Sequence, residues 1–182
     1  IVGADSHTCT EGALGAFATG LGSTDIGGAM ATGKCWFKVP ESLKFNLTGQ
    51  TKKGVYAKDV ILSIVGDVGE AGALYNACEF TGDYVKIASV SSRLTLCNMA
   101  IEMGGKNGII EADQKALDFL GGRTGRTFRS DKDAAYSDEF EIAVGAIEPQ
   151  VALPSVVDNV EPVSAVEGRP IDQAFLGTCT NG

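Results

Sequence analysis

Asp5, Ser6 and His7 stand side by side near the start of the chain, in the run Asp5-Ser6-His7-Thr8-Cys9. A carboxylate, a hydroxyl and an imidazole within one turn of backbone suit proton transfer, the imidazole moving the proton and the acid orienting the ring. His7 is the only histidine in the 182 residues, so there is no second imidazole for a shared metal or a relay. Cys9 offers a different chemistry, a thiol nucleophile with His7 as its base. Residues two apart in sequence rarely reach the geometry that nucleophile and base require, which disfavours a cysteine hydrolase. The plain alternative for His7 is a hydrogen-bonded turn residue.

Two further stretches carry polar groups in apolar surroundings. In Ser92-Arg-Leu-Thr-Leu-Cys-Asn-Met-Ala-Ile-Glu-Met-Gly-Gly105, helical spacing makes Leu94, Cys97, Ile101 and their flanking residues apolar over most of the circumference. Asn98 and Glu102 fall four apart on one row. Spacing alone favours reading Asn98, Glu102 and Lys106 as the wet stripe of a buried helix; the alternative is a polar row aimed into a cleft. The last residues, Gly177-Thr178-Cys179-Thr180-Asn181-Gly182, set a thiol in a turn of small polar residues, where a thiolate can approach a metal cluster and accept hydrogen bonds from nearby backbone N–H groups.

Gly28-Ala-Met-Ala-Thr-Gly33-Lys34-Cys35 matches the phosphate-cradling pattern G-x-x-x-x-G-K-[ST] in all but its last place, where cysteine replaces the hydroxyl residue that would bind Mg²⁺. Its context is reversed, with a helical run before it and an aromatic, strand-like run after it. A nucleotide-binding or purely structural module that uses Gly28 to Cys35 is the second function class the sequence leaves open.

Taken together and in order, "GADSHT", "LCNMAIEMGG" and "GTCTNG" resemble the aconitase superfamily, and "DSHTCTEGALG" with "TGKCWFKVPES" looks most like its 3-isopropylmalate dehydratase and archaeal-type homoaconitase branch. The resemblance runs over essentially the whole chain. It implies an α/β fold, a three-layer α/β/α iron-sulfur domain that is incomplete here. It also implies a hydro-lyase that isomerises a hydroxy di- or tricarboxylic acid by removing water and adding it back, with a [4Fe-4S] cluster as Lewis acid. Cys179 then matches the first of three cluster cysteines. Asp5 and His7 match groups in the catalytic hydrogen-bond network, and Ser6 a residue that touches a substrate carboxylate. Asn98 matches an asparagine beside the cluster and substrate. Glu102 matches a catalytic glutamate paired with a histidine, a contact that favours the imidazolium as proton donor; that partner histidine is expected outside this sequence.

By the same resemblance the chain is expected to be part of a longer large subunit, missing an upstream segment and the later cysteines that complete the cluster, and to be inactive alone. Its divisions are then 1–40 as the end of a first α/β domain, 41–165 as a second with a polar crossing near 121–141, and 166–182 as the start of a third, cluster-binding domain. The implied partners are a small subunit carrying a swivelling domain and a small polycarboxylate substrate.

Composition agrees with such a setting. The chain is 44% hydrophobic and 21% charged, with a net charge of −8, which argues against a nucleic-acid backbone as partner. No leader peptide or long apolar run is visible, and the five cysteines form no C-x-x-C pair, so reduced thiols and a cytoplasmic location, with no membrane partner, are expected. Cys9, Cys35, Cys78 and Cys97 read as small buried hydrophobes.

The elements that must position these groups alternate between helix and strand, punctuated by 24 glycines. Helices are predicted over 10–19, 25–32 (capped by Ser23 or Thr24), 57–65, 92–103 and 113–120. Strands are predicted over 35–39, 44–47, 85–88, 108–110, 139–144, 151–153 and 174–176. The polar stretch 121–141 reads as a surface crossing between two units.

Overall fold

Leu43, Phe45 and Leu47 alternate with Ser42, Lys44, Asn46 and Thr48, and this period-two pattern makes β3, Ser42–Thr48, a strand with one buried and one polar face. In the computed structural model, which describes residues 1–123, 126–174 and 177–180, β3 lies inside a four-stranded, wholly parallel sheet. The other strands are β4 (Ala77–Thr81), β5 (Asn107–Ile109) and β6 (Asp138–Ala143), in the order β5-β4-β3-β6. Two strands precede it, β1 (Val2–Gly3) and β2 (Thr19–Gly20), paired parallel to each other. A short antiparallel pair follows, β7 (Gln150–Ala152) with β8 (Val160–Pro162).

Helices cover the apolar face of the sheet. In α2, Ala57–Val68, Val60, Ile61, Ile64 and Val65 recur at helical spacing and are buried in one core cluster with Leu43, Phe45, Leu47, Cys78 and Phe80. The helix starts with a capping box in which the Tyr56 N–H donates to Asp59 Oδ2 at 2.7 Å. Phe45 stacks on Phe80 and on Phe140, with ring centroids 5.4 and 4.9 Å apart. Next come α3, Asp83–Ile87, and α4, Val90–Asn98; α4 packs beside α2 and adds Leu96 and Cys97 to the cluster. The right-handed crossovers β3-α2-β4 and β4-α4-β5 both step the same way along the sheet and so leave their helices on one face.

The return from β5 to β6 steps back past β4 and β3, and handedness sends it over the other face. After a short helix α5, Gln114–Phe119, a polar strap crosses there: Ser130 Oγ and Tyr136 Oη donate to Glu79 Oε2 at 2.8 and 3.0 Å. Lys44 pairs with Glu139 at 2.9 Å and Asn46 donates to Glu141 on the same face. The α/β fold expected from the sequence is therefore present. The described residues 121–123 and 126–137 lead from α5 to β6 across the polar face of this sheet.

Several local expectations are corrected. Residues 6–14 are a 3₁₀ helix, Ser6–Leu14, tight enough that a Cβ on Gly12 would lie 1.6 Å from the Gly108 carbonyl oxygen, and Gly15 ends it in the left-handed conformation. The helix α1, Ser23–Thr32, has Gly22 at its N-cap and no side-chain cap, so Ser23 and Thr24 are its first turn. Residues 35–39 are not a strand; Trp36 and Val39 are exposed with no sheet edge to join. Residues 85–88 end α3, and the strand of that region is β4, upstream, where Cys78 and Phe80 fill the core. The predicted helix 92–103 is α4 followed by a 3₁₀ turn, Met99–Met103, which Gly104 ends with φ 81°. The predicted strand 174–176 falls mostly outside the described residues.

The phosphate-loop reading also fails on geometry. Gly28 to Thr32 are the second half of α1 and Gly33, at φ 69°, terminates it, so the motif presents a helix C-terminus whose free carbonyls repel an anion. Among the described residues no helix is long and apolar enough to cross a membrane.

Candidate active site

The Asp-Ser-His run folds as the entrance of the 3₁₀ helix Ser6–Leu14. Asp5 is its N-cap, its Oδ1 accepting the His7 N–H at 2.7 Å, and Thr8 Oγ1 donates to the Asp5 carbonyl at 2.6 Å. This folds the carboxylate back over His7. His7 Nδ1 lies 3.2 Å from Ser6 Oγ and 3.5 Å from Asp5 Oδ1, while Nε2 lies 3.6 Å from Glu102 Oε1. The ring is thus held between two carboxylates, one from its own turn and one from the Met99–Met103 turn. Glu102 is therefore not waiting for a histidine outside the sequence: its imidazole neighbour is His7, which sequence reasoning missed because the two residues are joined only by tertiary packing.

The change from α to 3₁₀ geometry at Met99 separates the fates of Asn98 and Glu102. Asn98 is buried, whereas Glu102 keeps about a third of its side chain open at 33% exposure. The wet stripe of Asn98, Glu102 and Lys106 does not exist as such. The Asn98 amide is engaged on both sides, Nδ2 donating to Thr10 Oγ1 at 2.7 Å and Oδ1 accepting from Thr180 Oγ1 at 2.8 Å. Thr180 belongs to the turn that carries Cys179, so Asn98 ties that turn to the His7 segment. Cys179 itself is an exposed free thiol.

Lys58, in the first turn of α2, is a further member that no motif announced. Burial holds its ammonium below the ordinary lysine value, and the Glu102 carboxylate pulls the other way. The Ala57-Lys58-Asp59 segment reads in sequence as an ordinary helix start, so only the fold brings this cation toward the site.

The remaining thiols divide by environment. Cys9 is fully buried, donates to the Asn98 carbonyl at 3.3 Å, and is pushed by burial up to about 11, which removes it as a nucleophile. Burial likewise pushes Cys78 up to about 12 and Cys97 well above the ordinary thiol value. Cys35 is exposed, contrary to the expectation of a buried hydrophobe; it follows the end of α1, where no layer covers it. Among the described residues no group of three or more His, Cys, Asp or Glu side chains is placed to hold a metal ion by itself. Cys179 is the one thiol that is both open to solvent and hydrogen-bonded, through its turn, to the His7 segment. Its exposed thiol is chemically suited to ligating iron.

Comparisons with known proteins agree with this geometry. The sequence profile of the aconitase family (aconitate hydratase) matches residues 1–169. A probable 3-isopropylmalate dehydratase large subunit of Methanothermobacter thermautotrophicus is 58% identical over 185 residues, which take in all of this chain and 44% of that protein. A probable methanogen homoaconitase large subunit of the same organism is 57% identical over all of this chain and 43% of its own length. A 3-isopropylmalate dehydratase large subunit of Archaeoglobus fulgidus is 56% identical over all of this chain and 44% of its own. The chain spans less than half the length of these relatives. A profile match from the first residue to the helical and strand elements of the C-terminal half, over a parallel sheet and a His7–Glu102 pair, makes the chain a member of the aconitase family.

Proposed function

We propose that this chain is part of the catalytic large subunit of a [4Fe-4S] hydro-lyase that isomerises a hydroxy di- or tricarboxylic acid by dehydration and rehydration, in the 3-isopropylmalate or homoaconitate class. The observation that carries the reading is the placement of His7 between Glu102, 3.6 Å from Nε2, and Asp5, 3.5 Å from Nδ1. Relatives named as dehydratase and homoaconitase large subunits support it.

In this reading His7 holds or delivers a proton at Nε2, Glu102 orients the ring and balances its charge, and Asp5 fixes the opposite edge. Ser6 Oγ, at the mouth of the same turn, binds a substrate carboxylate; Asn98 stands beside the substrate and cluster and anchors the Thr178–Thr180 turn; Cys179 ligates iron. When bound, the cluster would supply a Lewis acid for the substrate hydroxyl. Its remaining thiolates come from other parts of the longer protein, so the 182-residue chain alone is inactive. The partners are a small subunit carrying the swivelling domain and a small polycarboxylate; the net charge of −8 argues against nucleic acid, and no membrane or extracellular step is invoked for a cytoplasmic biosynthetic enzyme.

The deciding experiment is His7→Asn in the complete, cluster-loaded enzyme. Loss of turnover with iron content unchanged supports the reading, because the imidazole is a proton carrier and not a ligand. Normal turnover overturns it.

A further inference from the structure

A continuous run of hydrogen bonds connects the Cys179 turn to His7, and its polarity is fixed. At one end the His7 peptide carbonyl can only accept, and Thr10 Oγ1 donates to it at 2.6 Å. A hydroxyl has one proton, so Thr10 Oγ1 must accept at its other contact, the 2.7 Å approach of Asn98 Nδ2. That sets the orientation of the amide: Oδ1 faces Thr180 and accepts its hydroxyl at 2.8 Å. All three donors point one way, from the Cys179 turn toward His7, with no polar atom of the buried amide left to choose another arrangement. Cys9, kept as S–H by burial, donates to the Asn98 backbone carbonyl at 3.3 Å and pins the same residue a second time.

We propose that Thr10 is a positioning residue: through Asn98 it holds the turn carrying Cys179 in register with His7, so that the thiolate corner and the proton-carrying imidazole keep one fixed spacing. The proposal rests on the reading of Cys179 as an iron ligand for its functional meaning, but the tether itself is a property of this chain. Cys9 holds the Asn98 backbone, whereas the Thr10 hydroxyl is the group of the His7 segment that bonds the Asn98 side-chain amide, the amide that in turn bonds Thr180. A threonine at this place in a 3₁₀ helix has an obvious local use, bonding back to the carbonyl three residues earlier; the second bond, from Asn98, makes it a link between distant segments.

The test is amide hydrogen exchange at Cys179 and Thr180 in the complete large subunit prepared without cluster, so that iron does not order the turn. Thr10→Val keeps the side-chain shape and removes the hydroxyl. It is expected to speed exchange at both amides at least roughly threefold, the loss of one modest hydrogen bond. Thr180→Val should do the same, the double variant should be no faster than either single one, and Thr10→Ser should exchange like the unsubstituted protein. Unchanged exchange in Thr10→Val overturns the proposal, and so does equal acceleration by Thr10→Ser, which would make the effect one of packing. Cys179→Ser separates the underlying reading: it should leave exchange at Thr180 unchanged while lowering bound iron in the reconstituted enzyme, and full iron content in that variant would refute the ligand role without touching the tether.

Discussion

Glu102 Oε1 lies 3.6 Å from His7 Nε2, joining the 3₁₀ turn that follows α4 to the 3₁₀ helix Ser6–Leu14. His7 is the only histidine in the sequence, so no other imidazole can take its place beside Glu102, and the pair should act as a unit in catalysis. In the complete enzyme Glu102→Gln is expected to lower turnover by roughly 10²-fold with the cluster retained. His7→Asn should lower it as far, and the double variant hardly further. Turnover, iron content and the double-mutant cycle check this; additive losses would mean that the two groups act separately.

Thiol chemistry should sort the cysteines by burial. In the native chain a thiol-titrating reagent is expected to modify Cys35 and Cys179 quickly and Cys9, Cys78 and Cys97 only on unfolding. Peptide mapping after a short exposure gives the answer, and early modification at Cys97 would contradict the core described for α4.

The chain by itself should also fail to build a cluster. With only two exposed thiols, Cys35 and Cys179, where a cluster takes three, it is expected to hold no iron in cluster stoichiometry and to show no broad absorbance near roughly 400 nm after reconstitution with iron and sulfide. Stoichiometric iron that survives Cys179→Ser would show that other cysteines of the chain move to bind it.

Arg93 is the largest of the fully buried side chains and is held by a bidentate pair with Asp113 at 2.7 and 2.5 Å. The Arg93 hydrogen bonds hold the Asp113 carboxyl down at about 2. Because the folded value lies below the ordinary carboxylate value of about 3.9, the stabilisation is present above about pH 4 and is lost as pH falls through about 2. Asp113→Asn should cost about 1–2 kcal/mol near neutrality, less than the full shift would carry because the carboxylate is 40% exposed and screened by solvent. Denaturant melts of both proteins across pH 2 to 7 would test it; the two curves should converge at the acid end.

Two glycines make a sharp contrast. Gly12→Ala would drive a methyl group to 1.6 Å from the Gly108 carbonyl, and should dislodge the 3₁₀ helix that carries His7. Gly28→Ala meets nothing within 4 Å in the interior of α1 and should stabilise the chain by roughly 0.5–1 kcal/mol. Thermal melting of the two variants checks both signs, and a destabilised Gly28→Ala would revive a backbone role for that loop.

Much of this was legible where local pattern and burial agree. The helical spacing of Val60, Ile61, Ile64 and Val65 and the short extended run 44–47 correspond to α2 and to the middle of β3, because the side chains there serve the core that a local pattern implies. Residues 85–88 misled because Tyr84 and Val85 are buried from a short helix, and a run of four apolar-rich residues does not distinguish that from a strand. The candidate site was half visible: Asp5, Ser6, His7, Asn98, Glu102 and Cys179 could be singled out from motifs, but the His7–Glu102 contact, the Thr10–Asn98–Thr180 run and the approach of Lys58 exist only once α2, α4 and the two 3₁₀ segments are packed. The α-to-3₁₀ change at Met99, which buries Asn98 and leaves Glu102 open, has no signal in a helical wheel.

The strap from β5 to β6 sets the order in which the sheet can assemble. β3, α2, β4, α4 and β5 follow one another closely, so their pairings close short loops, whereas the Lys44–Glu139 and Asn46–Glu141 contacts join residues 95 apart. The entropy of that long closure is recovered only after β3 is already fixed in place, so β6 docks last and leaves first. Limited proteolysis within 126–133, outside any helix or strand, would then release an edge strand from a sheet whose other three members, together with the His7–Glu102 pair, stay folded.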